Sequence, residues 1–268
     1  MQPGDPVGIF DSGTGGLTVA KAVKDLLPNE QIIYFGDSAH LPYGDKSTAT
    51  IQAYAVKISD ILLQRKCKVV LIACNSASAA AYELIREYTG SRAKVNNVID
   101  PVVDYIASNR LEKIVGLIGT LQTVNSGVFD RKLRTYKADI ALKTMATPLL
   151  VPMIEEGFVH NRISRDVISN YLGDQSLSNI ELLILGCTHY PIIKGEIDEY
   201  YKGSVELVDS ASRVALALQQ FLTEHRLLNS IPTGPDQFLF SDLTEGFERA
   251  AQLFFGEQIH LEKYQLWE

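Results

Sequence analysis

"VVLIACNSASAAA" runs from residue 69 to 81, and "LLILGCTHYP" from 182 to 191. Each carries an oily, β-branched stretch straight into a cysteine, with small polar residues directly after it. A short run of unbroken hydrophobicity is what a strand buried on both faces of a parallel sheet requires. Outward from this pair, similar runs recur as "VGIF" (7–10), "QIIYF" (31–35), "IVGLIG" (114–119), "IALKTMA" (140–146) and "VELVD" (205–209). Amphipathic segments lie between them, such as 48–66, where Ser47 stands as an N-cap. Strand and helix in regular alternation predict an α/β fold with right-handed crossovers.

A weak repeat divides the chain. "VGIFDSGTGG" (7–16) resembles "VGLIGTLQTV" (115–124) at an offset of 108 residues (7 to 115), and the segments of Cys74 and Cys187 correspond at an offset of 113 (74 to 187). Two landmarks in the same order predict two similar parallel-sheet α/β domains related by pseudo-symmetry, with the active site in the cleft between them. The first domain is expected at 1–98 plus 208–268 and the second at 99–207. The boundary is placed near "NNVIDPVV" (96–103), and strands "QFLF" (237–240) and "IHLEKY" (259–264) are expected to complete the first domain.

The composition narrows the partners. The 268 residues are 46% hydrophobic and 21% charged, with a formal net charge of -7 and scattered Lys and Arg. A nucleic-acid partner is not expected, because phosphate neutralisation needs a basic face. No apolar run approaches the roughly 18 residues of a transmembrane helix. "MQPGDPVGIF" carries no basic or long apolar segment, so no secretory signal is expected. Three cysteines, Cys67, Cys74 and Cys187, are too few and too scattered for a disulfide framework. Free thiols fit a cytoplasmic enzyme.

Ligands of open α/β sheets bind outside the carboxyl ends of the strands. Here those ends read "DSGTGG" (11–16), "GDSAHLPYGDKS" (36–47), "CNSAS" (74–78), "GTLQTVNS" (119–126) and "CTH" (187–189), which suit a small polar ligand. "DSGTGG" lacks the spacing of a phosphate loop and has no lysine to reach a phosphate. Its glycines are expected to allow a tight turn and to leave N–H groups facing a carboxylate.

Cys67, within "QRKCKVV", reads as a small buried hydrophobe. For Cys74 and Cys187 three readings stand: the same apolar role, a metal site with His189, or acid–base work by thiols. The metal reading lacks a C-x₂₋₄-C arrangement and a clear third ligand. For the third reading, each thiol is expected just ahead of a helix, whose dipole favours thiolate. Thiols facing each other across a ligand would remove a proton from one face of a carbon and return one to the other. Asp11 is placed to orient an ammonium or tune Cys74, and His189 to serve Cys187. Glu155 is a further carboxylate candidate, which taken alone reads as a solvated loop residue.

The chain resembles the glutamate racemase branch of the aspartate/glutamate racemase family. The matching stretches are "VGIFDSGTGGLTV" (7–19), "YFGDSAHLPYGDKS" (34–47), "ACNSASA" (73–79), "IGTLQTVNSG" (118–127), "VPMIEEG" (151–157) and "GCTHYP" (186–191). Departures are mild: Ser76 stands where the family often has Thr, and Thr147 where a noncatalytic Cys is common. The resemblance implies interconversion of L- and D-glutamate without pyridoxal phosphate or any other cofactor, and without metal. Cys74 would face the α-proton of the D-enantiomer and Cys187 that of the L-enantiomer, supported by Asp11, Glu155 and His189. Asp11, Ser12, Pro42, Tyr43, Gly44, Asn75, Ser76, Thr120, Thr123 and Thr188 resemble the substrate-binding set. D-glutamate for peptidoglycan, a bacterial cytoplasm and a homodimer are implied as well. Only six residues precede the first strand, so activation by a UDP-muramyl precursor is not expected. Competing readings are an aspartate racemase, another two-cysteine isomerase or decarboxylase, a noncatalytic binder of acidic amino acids, and a protein partner of a DNA-topology enzyme.

Overall fold

The computed structural model describes residues 1–109, 114–136, 140–244 and 246–266. Along the chain come β1 (Val7–Asp11), β2 (Ile32–Gly36), β3 (Val69–Ile72), β4 (Lys94–Asn97), β5 (Ile114–Gly119), β6 (Ala141–Ala146), β7 (Leu182–Gly186), β8 (Glu206–Asp209), β9 (Gln237–Phe240) and β10 (Leu261–Lys263). They form two sheets, ordered β10-β9-β2-β1-β3-β4 and β6-β5-β7-β8, and every pairing is parallel.

The repeat read from the sequence is visible in this order. β2-β1-β3-β4 and β6-β5-β7-β8 are the same four-strand pattern, and β9 and β10 extend the first sheet at the β2 edge. In each pattern the strand order reverses beside its first strand, and a crevice opens at such a switch point above the carboxyl ends. The first crevice lies between the ends of β1 and β3, and the second between those of β5 and β7. Cys74 follows β3 and Cys187 follows β7, so the thiols occupy equivalent places.

Every oily run is a strand, and one strand was not legible. β4 reads "KVNN": Lys94, Val95 and Asn96 are only half-buried on a sheet edge, so the segment lacks the hydrophobicity of its neighbours. The region assigned from sequence to a domain boundary thus begins with a strand. Asn97 then starts the next helix (Asp100–Asn109), its Oδ1 accepting the N–H groups of Ile99 and Asp100 at 2.8 and 2.9 Å. The helix expected at 48–66 is Thr48–Gln64; Ser47 caps it, accepting the Thr50 N–H at 3.2 Å. It stops early because Lys66 adopts φ of 60°, outside helical geometry.

The core explains the alternation within β1. Val7 and Ile9 face one apolar layer and Phe10 the other, as the two-residue strand period requires. The layer holding Ile9 and Tyr34 continues without interruption to Ile118, Leu183, Leu185 and Tyr190 of the second sheet. The helix Ser210–Glu224 packs on both Leu17–Leu26 and Asp100–Asn109. Shared apolar burial therefore holds the two sheets with their carboxyl ends around one cleft. Cys67 belongs to the core as expected: it is buried against Gly8, whose added Cβ would lie 3.0 Å from its Sγ.

Candidate active site

Cys74 and Cys187 both line a narrow cavity between the sheets. From the first sheet come Ser12 after β1, Pro42, Tyr43 and Gly44 after β2, and Asn75 and Ser76 beside Cys74; from the second come Thr120, Thr188 and His189. The cavity measures about 20 Å³, roughly what a single water needs and far below the size of an amino acid. Leu41 and Val151 complete its wall, and sequence reasoning did not single them out. Three expected site residues stand behind the wall rather than in it. Asp11 and Glu155 back Thr188 and His189, and Thr123 backs Thr120.

Cys74 is the N-cap of the helix Asn75–Thr89, and its Sγ accepts the Ala77 N–H at 3.5 Å. Its thiol lies 3.8 Å from Ser12 Oγ. The helix terminus was expected to lower this thiol, and the structure reverses that expectation. Burial pushes Cys74 up to about 12, the Asp11 carboxylate adds to the rise, and the Ala77 N–H and Ser12 offset only part of it. Desolvation outweighs the dipole.

Cys187 is differently placed. It follows β7 but precedes a tight 3₁₀ turn (Tyr190–Ile193), so no helix N-terminus serves it. An imidazole takes that place: His189 Nδ1 lies 3.7 Å from Cys187 Sγ. Its other nitrogen, Nε2, hydrogen-bonds Glu155 Oε1. Burial opposes charge on His189, but the hydrogen bonds to Cys187 and Glu155 overcome it and hold the ring well above the usual histidine range. Burial likewise pushes Glu155 up, while His189 and Thr14 pull it below the usual carboxylate value. The pair is an imidazolium beside a carboxylate, with Nδ1–H turned to the thiol. Glu155 is therefore not the solvated loop residue that it resembles in isolation.

Asp11 is fully buried, accepting the Gly13 N–H at 2.9 Å and the Thr188 hydroxyl at 3.4 Å. Burial raises it, and the His189 charge draws it back. Across the cleft, Ser76 Oγ and Thr120 Oγ1 are 2.8 Å apart, and Thr120 donates to Thr123 at 3.1 Å. Gly44 permits that approach, since a Cβ there would lie 2.7 Å from Thr120 Cβ. Asn75 is buried in the wall, and its Nδ2 has no hydrogen-bond partner among the described residues. An unspent amide donor facing a cavity is a ready contact for a carboxylate.

Two supporting residues escaped the sequence. Asp37 accepts Tyr43 OH at 2.5 Å and Ser241 Oγ at 2.7 Å, fixing the loop that presents Pro42 to Gly44. Thr14 donates to Glu155 at 3.1 Å. The N–H groups of Gly13 and Gly16 in "DSGTGG" face a carboxylate, that of Asp11, and Gly15 and Gly16 have a packing role besides. A Cβ at Gly15 would meet His189 at 2.4 Å, and one at Gly16 would meet Asp11 Cβ at 2.4 Å. They are notches for neighbouring side chains, and neither has positive φ.

A larger cavity of about 610 Å³ opens beyond Leu41 and Glu155, with Arg249, Phe247 and Phe254 in its wall, and it holds neither thiol. Among the described residues no group of three His, Cys, Asp or Glu is placed to hold a metal ion, and no helix is long and apolar enough to cross a membrane.

The Asp/Glu/hydantoin racemase profile matches residues 17–218. A glutamate racemase of Neisseria meningitidis serogroup A is 40% identical over 260 residues, 96% of each chain. The crystal structure of glutamate racemase from Francisella tularensis subsp. tularensis, in complex with D-glutamate, superposes with a TM-score of 0.92 at 38% identity over 98% of both chains. That of Thermus thermophilus glutamate racemase, in complex with β-chloro-D-alanine, gives 0.88 at 37% identity over 99% of both. Similarity at this level over nearly the whole length means that the chain belongs to the Asp/Glu/hydantoin racemase family.

Proposed function

We propose that the protein interconverts L- and D-glutamate, with Cys74 and Cys187 as its two acid–bases. One observation carries this reading: equivalent strand ends of two sheets deliver one thiol each to the same cavity. Inversion at carbon needs a proton acceptor on one face and a donor on the other. Cys74, raised by burial, rests as the thiol. His189 Nδ1 stands 3.7 Å from Cys187 Sγ, where it can give a hydrogen bond to the sulfur. Cys187 takes the α-proton of L-glutamate, and Cys74 then gives its proton to the opposite face of the carbanion, leaving the two thiols exchanged. D-glutamate runs the same steps backwards.

The developing carbanion and the two carboxylates call for donors already in place. Ser12, Asn75, Ser76, Thr120 and Thr188 are the donors around the cavity, and Asp11, behind Thr188, is the carboxylate for the ammonium. We take residues 1–98 with 208–268 as one lobe and 99–207 as the other. Their parting admits substrate to a cavity otherwise too small for it, and closure excludes water again. Through the family resemblance the reading extends to a homodimer in a bacterial cytoplasm, supplying D-glutamate for peptidoglycan.

The test is α-proton exchange followed by NMR in D₂O, with L- and D-glutamate, no added cofactor and aspartate as control. Exchange and inversion of both glutamate enantiomers by wild type, lost in Cys74→Ser and in Cys187→Ser, are expected. A folded protein silent on glutamate and active on aspartate would replace the substrate, and silence on both would point to a binder.

A further inference from the structure

Thr14 stands in the loop after β1, fully buried, and its hydroxyl crosses from the first sheet to the second. It donates to Glu155 Oε1, the same oxygen that bonds His189 Nε2. Among the described residues these two are the donors to that carboxylate. Glu155 needs them, because it ends a short helix (Leu150–Glu155), where the dipole disfavours negative charge. Its side chain also keeps 19% of its surface exposed, and it borders the larger cavity in whose wall Arg249 stands. Water can therefore reach the carboxylate and compete for it. The neighbours of Thr14 grip the same strip of the second sheet: Gly15 packs on the His189 ring, and Thr18 donates to the Thr188 carbonyl at 3.1 Å.

We propose that Thr14 is a positioning residue for proton transfer at Cys187: its hydroxyl holds Glu155 on the His189 ring and so keeps Nδ1 aimed at the thiol. The proposal rests on Cys187 being the base for L-glutamate. Thr14 touches neither thiol, and its effect passes through Glu155 and His189.

The obvious variant is Thr14→Val, which replaces the hydroxyl by a methyl of similar shape. Thr14→Ala removes it without adding atoms, and Thr14→Ser returns it. Enantiomers have equal free energy, so kcat/KM must fall equally in both directions. The expected fall is roughly 3- to 10-fold, since water replaces part of one bond to a charged group. The deciding readout is the isotope effect of α-deuterated substrate on kcat/KM. Slower transfer at Cys187 raises that effect with L-glutamate, whose label moves in the slow step, and lowers it with D-glutamate, whose label moves before it. Thr14→Ser should restore both values. A loss of rate with wild-type isotope effects in the two directions would mean a merely structural hydroxyl and overturn the proposal. Unchanged rates in Val and Ala variants would overturn it too. Racemisation that survives Cys187→Ser in the parent protein would remove the reading beneath it, a result separable from any behaviour of Thr14.

Discussion

Gly15→Ala tests whether the cleft is interlocked as tightly as the geometry requires. The added Cβ would lie 2.4 Å from both Cε1 and Nδ1 of His189 and 2.7 Å from Thr188 Oγ1. Ordinary contact begins near 3.4 Å, so the ring must retreat by about 1 Å. It has little room, because Phe254 meets it edge-on with centroids 5.1 Å apart and Glu155 bonds its far nitrogen. The displaced atom is Nδ1, 3.7 Å from Cys187 Sγ. A misplacement of about 1 Å costs on the order of 100-fold in rate, close to 2.7 kcal/mol of barrier. Overpacking should cost a further ~1–3 kcal/mol of stability. Racemisation would be followed by circular dichroism from either enantiomer, with thermal unfolding of the same samples. Gly195→Ala is the control, since its Cβ would meet nothing within 4 Å. A Gly15→Ala protein with wild-type unfolding temperature and activity within threefold would refute the interlock.

Glu155→Gln should lose about 2 kcal/mol at neutral pH, because an imidazolium is left without its counter-charge. The sign with pH follows from the two shifts. The lowered Glu155 contributes stability above its ordinary 4.5 and loses it as pH falls through the lower folded value; the raised His189 contributes fully below 6.5 and loses it as pH rises through the higher folded value. The difference in unfolding temperature between wild type and variant should therefore be widest between about pH 5 and 6.5 and shrink on both sides. Lys68→Met should destabilise by ~3–5 kcal/mol, since it strands the buried Glu30 carboxylate that Lys68 Nζ bonds at 2.6 Å, and urea unfolding would measure it. Lys68→Met with Glu30→Leu should recover much of that loss. Cys67→Ala should racemise at wild-type rate and cost about 1–2 kcal/mol, because this thiol is packing alone; a large loss of rate would place a third cysteine in the chemistry.

The strands, the repeat and both thiols were legible because each rests on local signals. Near-continuous hydrophobicity marks a doubly buried strand, and a cysteine at its carboxyl end lies where parallel sheets bind ligands. β4 fell outside that signal, since an edge strand buries one face and Lys94, Asn96 and Asn97 are polar. What tertiary structure alone decided involves partners far apart in sequence. Thr14 and Glu155 are 141 residues apart, and Asp37 and Ser241 are 204 apart. Composition near either member gives no hint of the other. The same holds for charge: a helix terminus beside Cys74 is visible in the sequence, but the burial that defeats it, and the Asp11 carboxylate that adds to the rise, come only with the fold. The glycines of "DSGTGG" are plain in the sequence as small residues, yet only the packing of His189 and Asp11 against them explains why they are small. Local pattern thus determined which groups stand at the strand ends, and the closing of two sheets on each other determined their charges and their aim.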